Sequence, residues 1–186
     1  MNNVLNQKYI FFYIFLCLAL HFLSTYFSIG FYSDDEHFQI LEPIAYLLGL
    51  NDKVINDLEG FYWEWQNDKR MRPWLQPILY YNLIKILKFF NFNDPFVWTF
   101  IIRLFSSILG FISIIYLFFT TKNEFFKKNT HFNYLLFFTF WFFPFLHSRT
   151  SSENLGLSFF IIALSFFYSE LKKNNNKFNY LLYLNF

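Results

Sequence analysis

Three consecutive carboxylates, Asp34, Asp35 and Glu36, stand at the end of an apolar run from Tyr9 to Phe31. Ionisable groups at a bilayer boundary are costly to hold unless they are solvated or used. A carboxylate crowded by others in a partly desolvated site holds protons more tightly, and such a group can take the proton of an attacking hydroxyl. The triplet reads as a general base, a cation site or a hydrated stop at a helix end. Trp63-Glu64-Trp65 sets a carboxylate between two indoles. That pattern suits a membrane-interface anchor, and it equally suits stacking on a sugar face while the carboxylate accepts hydroxyl protons. Arg72 precedes Pro73-Trp74, and Arg103 lies inside an apolar run, where a guanidinium needs a phosphate or a carboxylate partner. The turn Ser148-Arg149-Thr150-Ser151-Ser152-Glu153-Asn154 caps a following helix through Ser151 or Ser152, or presents Arg149 and Glu153 to an anionic substrate.

These groups are positioned by membrane helices. The chain has 186 residues, 55% of them hydrophobic and only 15% charged, a balance that excludes an ordinary soluble domain. Apolar runs approach the ~20 residues that cross a bilayer as a helix. Spans are expected at 9–31, 96–120, 131–147, 155–171 and from 178 onward. The first is too long for a signal-peptide core and reads as a retained anchor. His21 within it reads as a packed interior histidine. Residues 32–95 form one outer loop, and the apolar stripe of Phe38, Leu41, Ile44, Ala45, Leu47 and Leu48 predicts an interfacial helix in it, with Pro43 in its first turn. The net charge of +2 excludes a nucleic-acid partner, and the single Cys17 excludes an internal disulfide. No glycine-rich phosphate loop, His/Cys metal spacing or Ser-His-Asp pattern is present. No cofactor is expected; a divalent cation is left open.

Lysine and arginine concentrate on the cytoplasmic side. Placing Lys8, Lys122–Lys128 and Lys172–Lys177 inside puts the acidic loop outside. Residues 73–90 then lie along the outer face without crossing. The 148–154 turn falls on the same side as Asp34, Asp35 and Glu36.

Taken together, Asp35-Glu36-x-Phe38-Gln39-x-Leu41-Glu42-Pro43, Trp63-Glu64-Trp65 and Arg72-x-x-x-x-Pro77 resemble the opening of the lipid-linked-mannose α-mannosyltransferases of glycosyltransferase family 22, including the GPI-anchor enzymes. These belong to the GT-C superfamily. The resemblance covers about residues 10–155 and is densest in 32–77. It implies an all-α polytopic membrane protein, one GT-C-like N-terminal module over 1–186 with juxtamembrane helices in its first outer loop. Relatives are longer, so a truncated or partial enzyme is expected. The resemblance further implies an inverting transferase that takes a hexose, mannose first, from a polyprenyl-phosphate donor to a glycan or glycolipid acceptor. It makes Asp35 the base and Glu36 its assistant. Asp34, Trp63, Glu64, Trp65, Arg72, Arg103, Arg149 and Glu153 become substrate-binding groups. In relatives the later motif reads Arg-Thr-x-Ser/Thr-Asn; here Glu153 occupies the Asn place. A bacterial inner membrane with a periplasmic active face is expected, the endoplasmic reticulum with a lumenal face being the alternative. The rival readings are a GT-C enzyme with another lipid-linked sugar and a non-catalytic subunit or transporter piece.

Overall fold

A computed structural model describes residues 2–28, 30, 36–50, 74–125, 130–140 and 142–184. These residues form helices and connecting turns, with no strand among them. Helix α1 is Asn2–Tyr26. A π-helical turn, His37–Leu41, leads into α2, Glu42–Leu47. Helix α3 is Leu75–Phe89, α4 is Pro95–Phe125, α5 is Thr130–Thr139, α6 is Phe142–His147 and α7 is Ser152–Leu184. Among the described residues, three helical stretches are long and apolar enough to cross a bilayer: Tyr9–Tyr26, Pro95–Lys122 and Ser152–Lys173. The protein is an all-α integral membrane protein.

The expected span at 131–147 is broken in two. Pro144 lacks an N–H and its ring crowds the carbonyl four residues back, that of Phe140, where α5 has just ended. The two pieces still follow α1 along its length. Tyr9 meets the His131 ring at 4.4 Å, Tyr13 meets Tyr134 at 6.0 Å, and Ser24 Oγ donates to Ser148 Oγ at 3.4 Å. Residues 9 to 24 of a helix cover about 22 Å, so α5 and α6 together travel most of a bilayer's apolar depth. A second expectation is also corrected. The basic turn placed at 172–177 is helical, and 155–171 and 178–184 belong to one helix, α7. Residues 172–177 contain no proline or glycine, and lysine is a good helix former.

Helix α4 is the hub. Its C-terminal half carries an aromatic core in which Phe118, Tyr134 and Phe138 close around Cys17 and Ile114. Its N-terminal half receives α3 and the π-turn segment, through Tyr80 and Ile84 against Trp98 and Ile102, with Ile40 and Ile44 beneath. Residues 74–90 therefore pack as a shoulder on the N-terminal half of α4. The π turn has a local cause. Pro43 cannot donate to Gln39, and the wider loop lets the Glu42 N–H reach the His37 carbonyl instead.

At mid-bundle, His21 Nδ1 donates to the Cys17 carbonyl at 2.8 Å, and His21 Nε2 lies 3.0 Å from His147 Nδ1. A carbonyl only accepts, so in the neutral pair His21 carries its proton on Nδ1 and His147 Nδ1 donates to His21 Nε2. The His147 imidazole occupies the space where a Cβ on Gly110 would stand, so only glycine admits the ring here.

Candidate functional site

The C-terminal end of α1 and the N-terminal ends of α4 and α7 meet around Glu36, which is completely buried. Its Oε1 accepts from the Thr150 hydroxyl at 2.9 Å and from the Thr150 N–H at 3.1 Å. Arg103 Nη2 stands 3.7 Å from the same oxygen. Arg103, 4% exposed, also donates through Nη1 to the Ser28 carbonyl and through Nη2 to the Gly30 carbonyl. Gly30 holds φ +72°, a left-handed conformation that suits glycine, and this turns its carbonyl toward the guanidinium as α1 ends. The partner that Arg103 requires in its apolar run is thus a carboxylate plus two helix-end carbonyls.

Thr150 uses every polar group it has. Its carbonyl accepts from Gln76 Nε2 at 2.7 Å. Gln76 Nε2 also donates to the Tyr80 hydroxyl at 3.3 Å, which lies 3.4 Å from Ser106 Oγ. Ser106 Oγ donates to the Arg149 carbonyl at 3.1 Å, and Asn154 Nδ2 donates to that same carbonyl at 2.7 Å. Burial pushes the Tyr80 phenol above its usual value and the nearby Glu36 charge adds to this, while the Ser106 and Gln76 hydrogen bonds oppose it. The phenol is therefore a neutral link at physiological pH. Residues from the π-turn segment, α3, α4 and the 148–154 turn form one buried polar network, and such networks rigidify when satisfied.

Of the residues singled out by sequence, Glu36, Arg103 and the 148–154 turn are brought together. The Arg149 guanidinium lies over the Phe145 ring at 5.1 Å, partly exposed beside the buried network. Glu153 is exposed on the first turn of α7. The buried member of that turn is its neighbour Asn154. Asp34, Asp35, Trp63, Glu64, Trp65 and Arg72 lie outside the described residues. Sequence reasoning did not single out Thr150, Gln76 or Asn154. Thr150 and Gln76 have partners far away in the chain, which leave no periodic signal.

Beside Arg103 a cavity of about 780 Å³ opens between α1 and α4, walled by Phe22, Tyr26, Leu41, Phe96 and Phe100. Its wall is almost wholly apolar, with one guanidinium in it. Among the described residues no group of three or more His, Cys, Asp or Glu side chains is placed to hold a metal ion.

Glu36 and the turn that carries Arg149 are held together at one end of the helix bundle, next to an apolar cavity. Neither the curated proteins nor the solved structures contain a match to the chain. Residues 11–186 match the family model of the Alg9-like mannosyltransferases, and the chain belongs to that family of membrane glycosyltransferases.

Proposed function

We propose that this protein transfers mannose from a polyprenyl-phosphate mannose to a hydroxyl of a glycan or glycolipid, in a single inverting displacement. Asp35 accepts the hydroxyl proton as the acceptor oxygen bonds to the anomeric carbon. The bond from that carbon to the phosphate oxygen breaks, and polyprenyl phosphate departs with the electron pair. The observation that carries this reading is the bond between Glu36 and Thr150, because it seats the neighbours of Asp35 and Arg149 against each other. Adjacent Cα atoms are about 3.8 Å apart, so the two functional positions start close to a fixed pair. Arg149 and Arg72 are the guanidinium groups for the phosphate, where a fork of donors matches its oxygens. Arg103 is already committed to Glu36 and to two carbonyls.

Trp63 and Trp65 shape the sugar site, with Asp34 and Glu64 accepting from sugar hydroxyls, and Glu153 faces the acceptor. The apolar cavity beside Arg103 suits the hydrocarbon chain of the donor. The active face is the periplasmic side of a bacterial inner membrane. The test is radiolabelled transfer by membranes containing the protein and lacking other mannosyltransferases. Label from polyprenyl-phosphate mannose should enter the glycan or glycolipid fraction, unlabelled polyprenyl-phosphate glucose should compete poorly, and GDP-mannose alone should be inert. Direct use of GDP-mannose would overturn the donor assignment.

A further inference from the structure

We infer that Glu36, Arg103 and Thr150 form a positioning latch and that Glu36 is not a proton acceptor. Two observations carry this. First, Glu36 has no exposed surface, so no acceptor hydroxyl can come within hydrogen-bond reach of it. Second, its Oε1 is the point where three chain segments converge: the Thr150 hydroxyl at 2.9 Å and N–H at 3.1 Å, and Arg103 at 3.7 Å. Arg103 extends the latch to the end of α1 through the Ser28 and Gly30 carbonyls. Gln76 extends it to α3 by donating to the Thr150 carbonyl at 2.7 Å. Every polar group of Thr150 faces this network, so the residue is spent on holding the turn and has nothing left for substrate.

The latch explains why an acid and a threonine sit next to the two proposed functional positions. Glu36 follows Asp35 and Thr150 follows Arg149. Bonding the inner pair fixes the spacing of the outer pair, and spacing is what a displacement between a base and a phosphate clamp depends on. A carboxylate does this better than an amide because Arg103 must be neutralised where it is buried.

The activity arm rests on the transferase reading; a labelling arm does not. A base cannot be restored by deleting a second charge, whereas an ion pair can be replaced by two neutral groups. In the full-length protein, E36Q and R103Q should each lower transfer from polyprenyl-phosphate mannose by about tenfold or more, through one uncompensated buried charge. The double variant E36Q/R103Q should recover to within about fivefold of the parent, by the non-additivity of contacting residues. The acidic limb of its pH–rate profile should stay where the parent's lies, because the titrating base is intact. A double variant as inactive as E36Q alone, or with a displaced acidic limb, would overturn the inference.

The second measurement is the rate at which a membrane-impermeant maleimide labels Cys introduced as S152C; the native Cys17 is buried and does not compete. T150V and E36A should each raise that rate, T150S should leave it unchanged, and T150V/E36A should raise it no further than E36A alone. This arm decides the matter even where no transfer is measured. Labelling indifferent to E36A and T150V would mean that there is no latch.

Discussion

Two buried polar clusters lie along α4, and they solve the burial problem differently. Near the N-terminal end of α4, Glu36 and Arg103 carry formal charge, and each is neutralised by the other and by groups from non-helical chain. At mid-bundle, His21 and His147 carry none in their neutral forms and are joined by a one-way relay from His147 to His21 to the Cys17 carbonyl, His147 Nε2 making no hydrogen bond. The first cluster ties loops to one another across the sequence. The second ties helix to helix and depends on a missing side chain at Gly110. Charge is concentrated where the chain leaves the helices, and neutral polarity where the bundle is deepest. The difference teaches which cluster serves function: a bundle can be held by shape, whereas loops at a membrane face need directional bonds to fix their spacing.

The comparison can be broken at either end. The largest effect on stability is expected from Arg103→Met, which strands Glu36 in a fully buried position at a cost of about 3–5 kcal/mol. A lowered thermal midpoint of the protein in detergent would show it, and an unchanged midpoint would mean that the ion pair is incidental. Gly110→Ala should cost about 1–3 kcal/mol, because the His147 ring must move for a methyl group. A midpoint equal to the parent's would show that the contact is easily relaxed. If the clusters are independent, the two costs should add within about 0.5 kcal/mol in the double variant. A larger coupling would make them one structure and remove the contrast drawn here. The smallest effect is expected from Glu153→Gln, an exposed change worth within about ±0.5 kcal/mol. It should alter transfer, if at all, through the KM of the acceptor, as measured with saturating donor.

Much of the fold was legible in the sequence. The apolar runs at 9–31 and 96–120 announce helices by length alone, and loop charge places Glu36 and the 148–154 turn at one end, where the structure joins them. Family membership was legible from three spaced motifs in the first outer loop. Other features were not. A lysine-rich stretch at 172–177 looks like a turn on charge, yet lysine costs a helix little. Pro144 could have announced the break at 140, but the hydrophobicity of 131–147 hid it. Thr150 looked like an ordinary turn residue, because a bond spanning 114 residues leaves no mark on local pattern. Of the site itself, sequence singled out the charged residues and could not separate those that face substrate from those that hold the frame.

That separation is tested most directly by Asp35→Asn in the full-length protein. The carboxylate is replaced by an amide of the same shape, so the latch one residue away keeps its partners. Transfer from polyprenyl-phosphate mannose should fall by about 100- to 10,000-fold, the usual worth of a general base, while the thermal midpoint and the labelling rate of S152C stay at the parent's values. Parent-like turnover from Asp35→Asn would contradict the assignment of Asp35 as the base and with it the account given of this site.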